Sequence, residues 1–225
     1  MKFVVYRGFL VKFKEKDNVQ IQSGRPKDLE KRAKILQAAK AIFLKMGYHA
    51  ANMNQIAQAA GVTKLTVYNH FQDKANLFIC AIEETCEESI CAKEFVLTAE
   101  TNFEQALYLM CHRALSIIYL PEAIKLDRVL FELAAESSPL TQQFFDASHM
   151  RMRNVWCDFF EQAIKLKFIQ ADDPLKHTSL IISLMLGVRH HSVLLGLDTV
   201  PSADELDQVI QQAIEIFLLK YQTKS

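Results

Sequence analysis

Residues 52–71 read NMNQIAQAAGVTKLTVYNHF, a pattern typical of two short helices joined by a tight turn. Asn52 and Thr63 can cap the two helices, because their side-chain oxygens accept hydrogen bonds from the first helical turn. Gly61 can adopt the positive φ that such a turn needs. Ala57, four residues earlier, is small enough for the point where two steeply crossed helices meet. This order and spacing predict a helix-turn-helix.

The second helix of this motif carries side chains that suit the grooves of DNA. Lys64 can donate to guanine or to a phosphate, Asn69 can pair with adenine, and Leu65 can contact a thymine methyl group. The hydroxyl and imidazole groups of the same helix suit phosphate oxygens, which set register rather than sequence. Lys74 begins the next helix, whose positive dipole end also favours a phosphate. The predicted DNA-binding residues are Asn52, Thr63, Lys64, Leu65, Thr66, Tyr68, Asn69, His70 and Lys74.

The charge distribution favours an anionic partner for one part of the chain. The whole chain has 26 basic and 26 acidic residues, but residues 1–80 have 14 basic and 5 acidic ones, whereas residues 81–225 have 12 and 21. A glycine between two short helices also occurs in αα-corners that bind nothing. The ordered motif within a basic segment favours the DNA-binding interpretation. The acidic remainder disfavours an architectural protein that wraps DNA without sequence preference.

Helical periodicity elsewhere predicts an all-α fold of about nine helices, with no strand predicted with confidence. The first helix begins at Lys27 and stops at Gly47, where a glycine suits a helix end. The long helix after the motif is predicted for residues 74–96. Capping residues and first-turn prolines delimit the later helices, which are predicted for 101–119, 121–136, 139–168 with a break near Ser148, 174–195 and 202–221.

This pattern predicts three regions. Residues 1–22 form an N-terminal extension, residues 23–73 a helix-turn-helix domain, and residues 74–225 a helical domain for ligand binding and dimerisation. The extension is interpreted as a loose segment or as the product of a start codon assigned too early. The alternative is a short basic arm that adds contacts to phosphates.

Several classes of protein are disfavoured. Five cysteines without C-x-x-C spacing indicate reduced thiols rather than a disulfide framework. No apolar run reaches the ~18 residues of a membrane span, and the apolar segment 3–13 is interrupted by charges. A cytoplasmic protein without a membrane partner is therefore expected. The absence of a glycine-rich phosphate loop, a nucleophile elbow and metal-ligand spacing argues against an enzyme, a cofactor and a metal; His190 and His191 are adjacent and do not share a helix face.

Residues 27–78 resemble the N-terminal domain of the TetR (tetracycline repressor) family of transcriptional regulators. The motifs that carry the resemblance are Gly47-Tyr48, Ile56-Ala57, Ala60-Gly61-Val62, Thr63-Lys64-x-Thr66-x-Tyr68, Phe71 and Lys74-x-x-Leu77-Phe78. The sequence departs from the family at Leu65, where a smaller residue is usual, which bears on the bases that are read. Arg128-x-x-x-Glu132 and Phe144-Phe145 resemble the AefR-like branch.

The resemblance implies a homodimer whose last two helices form the interface. Residues 180–187 and 209–219 are apolar over more than one helix face, more than a single core contact needs; a buried helix in a monomer is the alternative. A two-fold protein implies a palindromic double-stranded DNA operator. The resemblance thus implies a repressor, although repression and activation use the same reading helix.

The resemblance also implies that the middle helices enclose a pocket for a small, largely apolar effector, whose binding shifts helix 74–96 and separates the reading helices. Ordinary core packing is the alternative for each aromatic side chain there. A thiol switch at Cys80, Cys86 and Cys91 is the alternative form of regulation. The predicted pocket residues are Tyr108, His112, Phe131, Met152, Trp156, Phe159, Phe160 and Met185.

Overall fold

The structure describes residues 2–6, 9–14, 26–89 and 94–223, which contain ten α-helices and three short strands. The structure is a computed structural model, and it divides into two units. The helix-turn-helix unit comprises residues 17–89 and 125–151, and the aromatic-core unit comprises residues 1–16, 90–124 and 152–225. The predicted boundaries after residues 22 and 73 stay predictions. Residues 1, 7–8, 15–25, 90–93 and 224–225 lie outside the described residues. The predicted extension is therefore described only in part, and Cys91 is not described.

The helix-turn-helix unit contains four helices from the first part of the chain and a helical segment from its middle. The elements are α1 (Pro26–Ala50), α2 (Met53–Ala59), α3 (Lys64–Phe71), α4 (Lys74–Ser89), most of α6 (Pro121–Ala135) and α7 (Leu140–Phe145). A π-helical turn, Asp146–Met150, follows α7 and continues into α8. This turn lies at the break predicted near Ser148. If α7 and α8 are counted as one helix, the described residues contain nine helices, as predicted.

The aromatic-core unit contains the remaining helices and a small antiparallel sheet. The helices are α5 (Phe103–Ile118), α8 (Arg151–Lys165), α9 (Pro174–Leu194) and α10 (Ala203–Tyr221). The sheet has the order β1-β2-β3, with β1 (Lys2–Tyr6), β2 (Phe9–Lys14) and β3 (Glu94–Phe95). Phe13 pairs with Phe95 across β2 and β3. The sequence did not predict these strands, and the interpretation of residues 1–22 as a loose extension does not include them.

Local capping signals in the sequence explain where the helices begin. The Asn52 side chain accepts from the backbone of Asn54 and Gln55. The Gln55 side-chain oxygen accepts in return from the Asn52 backbone N–H, which completes a capping box. Ser202 and Glu205 form the same motif at the start of α10. These starts agree with the predicted ones because a cap involves only neighbouring residues in the chain.

Three predicted helix boundaries are corrected by the structure. Helix α4 ends at Ser89, and residues 94–95 are a strand, so the predicted helix to residue 96 is wrong. The cap of α5 is Asn102, whose side chain accepts from the Gln105 backbone at 3.0 Å, rather than Thr101. Helix α1 is interrupted at Gly47 (φ 77°, ψ 173°), but helical backbone resumes and reaches Ala50.

Buried aromatic rings fill the centre of the aromatic-core unit. Phe160 stacks on Trp156 with ring centroids 5.8 Å apart and on Phe217 at 5.2 Å. The ring of His177, also buried, lies 5.4 Å from Phe160 and 4.2 Å from Tyr221. Aromatic pairs at these separations stabilise a core beyond the area that they bury.

Burial of His177 makes the stability of this unit depend on pH. Burial lowers the pKa of His177 below its ordinary 6.5, against the effect of the hydrogen bond to the Asp173 carbonyl. The neutral form therefore prevails in the folded unit, whereas the unfolded chain takes up a proton as the pH falls below about 6.5. We expect the free energy of unfolding to decrease from pH 7 to pH 5, and to decrease less in His177→Gln. Urea titrations at both pH values measure this; equal decreases in both proteins would contradict it.

Candidate nucleic-acid interface

The inner face of α3 is fixed on the core of the helix-turn-helix unit. Val67 and Phe71 are 0% and 1% exposed. On α2, Ile56 and Ala57 are also buried. Gly61 between the two helices has φ 66°, a conformation that side chains with a Cβ atom rarely adopt. The turn and the apolar anchors therefore hold α3 in one orientation.

The outer face of α3 is open to solvent. Leu65 is 69% exposed and Tyr68 39% exposed, and Lys64 and Asn69 are also exposed. Their spacing places these four residues on one side of the helix. The Lys64 ammonium lies 5.7 Å from the centre of the Tyr68 ring. This side of α3 combines a cation, an amide, a phenol and an apolar side chain, a set that can contact base edges and phosphates.

Three other predicted DNA-binding residues have hydrogen-bond partners within the motif. The Asn52 side-chain oxygen accepts from the backbone N–H groups of Asn54 and Gln55 at 3.1 and 3.0 Å. The Thr63 hydroxyl accepts from the Thr66 backbone at 3.1 Å and lies 2.8 Å from the Thr66 hydroxyl. The structure thus gives Asn52 and Thr63 capping roles, and it brings Thr66 to the start of α3 beside its cap.

His70 faces the first helix rather than the outer face of α3. Its side chain is 13% exposed, and its Nε2 atom lies 3.3 Å from the carboxylate of Asp28 on α1. An imidazole in this position is directed at an acidic side chain of its own unit. The predicted phosphate contact by His70 is therefore not supported by the geometry.

The Lys74 ammonium, which is predicted to contact a phosphate, bonds to backbone carbonyl groups of its own unit. It donates to the carbonyl oxygens of Tyr48, His49 and Ala51 at 3.0, 3.4 and 3.2 Å. It also lies 4.4 Å from the centre of the Tyr48 ring. Sequence reasoning missed Tyr48 and this arrangement. The only signal for it was the Gly47-Tyr48 pair, which was part of the resemblance but had no assigned function.

The predicted pocket residues do not line a common cavity in the part of the chain that the structure describes. Trp156, Phe159 and Phe160 are at most 1% exposed and contact one another in the core, where Met185 is also buried. Phe131 is 52% exposed and belongs to the helix-turn-helix unit. Aromatic rings occupy the space around these residues, as in the alternative of ordinary core packing, and the predicted apolar pocket stays a prediction.

The other predicted pocket residues lie at the edges of this core. Tyr108 donates a hydrogen bond to the Asp207 carboxylate at 2.5 Å, and its ring lies 6.2 Å from that of His112. Met152 borders a space of about 10 Å³ between α5 and α8, which at most equals the room one water molecule needs. A larger groove of about 600 Å³ runs between α5 and α10. Of the predicted pocket residues, only Tyr108 lines it.

In the part of the chain that the structure describes, neither the cysteines nor the side chains that could bind a metal form a further site. Among the described residues, no group of three or more His, Cys, Asp or Glu side chains could hold a metal ion. Among the described residues, Cys80, Cys86, Cys111 and Cys157 form no disulfide bond. Burial raises the pKa of Cys80 and Cys111, so their reactive thiolate forms are disfavoured. The described helices also include none that is long and apolar enough to cross a membrane.

The motif consists of a capped helix, a glycine turn and a second short helix with a buried inner face and an exposed outer face. This arrangement defines the class of helix-turn-helix regulatory proteins. Residues 35–80 match the tetR family of bacterial regulatory proteins, and residues 105–223 match the C-terminal domain of AefR-like transcriptional repressors. The chain belongs to the tetR family and carries an AefR-like C-terminal domain. Members of this family are transcriptional regulators and not enzymes.

Relatives and solved structures agree with this assignment. The HTH-type transcriptional activator FasR of Mycolicibacterium smegmatis is 35% identical over 82 residues, which cover 36% of this chain and 37% of FasR, less than two fifths of that relative. A TetR-family regulator from Mesorhizobium loti superposes with a TM-score of 0.77 at 26% identity, covering 89% of this chain and 100% of that one. The flavonoid-responsive regulator FrrA has a TM-score of 0.72 at 26% identity, with 87% and 98% covered.

Proposed function

We propose that this protein is a dimeric transcriptional repressor that binds a palindromic operator through α3 and is released by a small, largely apolar effector. The observation that carries the proposal is the outer face of α3, where Leu65 is 69% exposed although the opposite face of the same short helix is buried. A large exposed apolar side chain on a rigid helix suits contact with a thymine methyl group. DNA binding implies a protein that acts in the cytoplasm, where bacterial DNA lies.

The exposed set on α3 supports a division of roles within the operator contact. Lys64 and Asn69 carry the donors that pair with guanine and adenine in the major groove, and Leu65 lies between them on the same face. The Tyr68 hydroxyl suits a phosphate oxygen, which fixes register. Asn52, Thr63 and Thr66 contribute by holding the first turns of α2 and α3 in shape.

Exposed apolar side chains around α9 and α10 support dimerisation through the last two helices. Val188 is 83% exposed and Leu219 82% exposed, and Leu195 and Leu197 follow on the connecting turn at 68% and 78%. Exposed apolar side chains on the last two helices and on the turn between them are available for contact with a second subunit. Two hydrogen bonds from Arg189, at 2.7 and 3.3 Å, lower the pKa of Glu205 to about 2 and fix the turn between the two helices.

The effector would have to open the filled core. Trp156 is fully buried, and its indole N–H has no hydrogen-bond partner among the described residues. A buried donor without a partner costs about 1–3 kcal/mol, so a ligand with an acceptor that reaches it would gain that contact. The flavonoid-responsive relative supports an aromatic effector that carries hydrogen-bonding groups. The proposed effector is thus still small and largely apolar, but it enters a core that has no preformed pocket among the described residues.

Selection of bound sequences from a random pool of duplex DNA, at physiological salt, tests the proposal. The expected result is a palindromic consensus whose half-sites lie one or more helical turns apart, because a two-fold dimer presents two α3 helices. Recovery of no consensus, together with binding that disappears as salt rises, would mean that the contact is electrostatic only and would overturn the proposal.

A further inference from the structure

The end of α1 leaves backbone carbonyl groups that the helix does not satisfy. Gly47 interrupts the helical path, and the last carbonyls of a helix have no partner within it and carry its negative dipole end. The carbonyls of Tyr48, His49 and Ala51 belong to this segment, which leads directly into the cap of α2 at Asn52. The segment therefore connects α1 to the helix-turn-helix motif.

Lys74 satisfies these carbonyls from the first residue of α4. An ammonium group has three donors, and the Lys74 group makes three hydrogen bonds, to Tyr48, His49 and Ala51, at 3.0–3.4 Å. The Tyr48 ring lies beneath the ammonium and packs on Phe78 of α4, with centroids 5.0 Å apart. A phosphate contact by Lys74 would require at least one of these bonds to break.

A second contact reaches the same segment from another helix. The His49 imidazole lies 2.9 Å from the carboxylate of Glu136, the residue after α6. Both partners are more than half exposed, so this contact is weaker than the three bonds of Lys74. The segment 48–51 is thus held by side chains at the start of α4 and at the end of α6.

We infer that Lys74 is a positioning residue, which couples the first turn of α4 to the α1–α2 segment and so sets the orientation of α3. The inference rests on the proposed function, since it concerns how the reading helix is held for its operator. A displacement of the first turn of α4 would pull on three carbonyls next to the cap of α2. A lysine that only neutralised a phosphate would have no such connection to the fold.

The test compares the wild-type protein with Lys74→Met and Lys74→Arg on the selected operator and on random duplex DNA. Arginine keeps the charge, but its planar guanidinium cannot donate to three converging carbonyls as a compact ammonium does. We expect both variants to bind the operator about tenfold more weakly, equivalent to ~1.4 kcal/mol. Binding to random DNA should change little, so the ratio of specific to non-specific affinity falls.

The salt dependence of operator binding separates the two roles. Loss of one phosphate contact from each subunit would reduce the slope of log K against log salt by about 1.8, whereas loss of orientation leaves it unchanged. A reduced slope in Lys74→Met with full affinity in Lys74→Arg would overturn the inference. Equal losses of operator and random-DNA binding, with a lowered melting temperature, would also overturn it by showing a merely structural role. Absence of specific binding by the wild-type protein would instead contradict the proposed function.

Discussion

A variant that carries Val188→Glu and Leu219→Glu is expected to be monomeric and to bind the operator about 10²–10⁴ times more weakly than the wild-type protein. The two residues are 83% and 82% exposed, which suits side chains that a partner subunit covers. Two carboxylates per subunit on a covered apolar face would lose their hydration without gaining a partner. A monomer can still bind one half-site, but it loses the second, intramolecular contact.

Sedimentation equilibrium and operator titration measure the two parts of this prediction on the same samples. Val96→Glu is the matched control, because Val96 is 38% exposed and lies on neither α9 nor α10. The control should remain dimeric with unchanged affinity. A double variant that remains dimeric and retains its operator affinity would place the interface on another surface.

Trp156→Ala is expected to lower the free energy of unfolding by about 3–5 kcal/mol, because it removes the largest fully buried side chain and leaves a cavity. The neighbouring rings of Phe159 and Phe160 are held by the backbone of α8 and can fill the space only in part. Urea unfolding followed by circular dichroism measures the change.

Phe131→Ala is the matched control for this experiment, since both residues belonged to the predicted pocket. Phe131 is 52% exposed, and substitutions at such surface positions usually change stability by less than about 0.5 kcal/mol. Similar losses in the two variants would contradict the filled core, because they would mean that Phe131 and Trp156 share one buried environment.

The elements that the sequence predicted correctly depend on neighbouring residues. Asn52 and Thr63 cap helices through bonds that reach three residues along the chain, and Gly61 supplies its positive φ by itself. The alternation of buried Val67 and Phe71 with exposed Leu65 and Tyr68 also follows from helical periodicity alone. The helix-turn-helix and the exposed face of α3 could therefore be predicted from residues 52–71.

The features that the sequence did not predict depend on partners distant in the chain. Lys74 bonds to carbonyls 23–26 residues earlier in the chain. No local sequence pattern distinguishes such a lysine from one whose ammonium is available to bind a phosphate. The short strand β3 forms because it pairs with β2, which lies some 80 residues earlier. The complete burial of Trp156 could not be predicted for another reason. Aromatic residues that line a cavity and those that fill a core have the same composition and periodicity.

The measurement that tests the central claim most directly is a parallel selection of bound sequences with the wild-type protein and with Lys64→Ala. If the outer face of α3 reads the bases, both proteins should select half-sites with the same spacing. The variant should lose its base preference at the same position in each half-site. Its binding free energy for the wild-type operator should be less favourable by about 1–3 kcal/mol. An identical consensus and equal affinity for the two proteins would contradict the account, because the exposed lysine of α3 would then make no contact with the DNA.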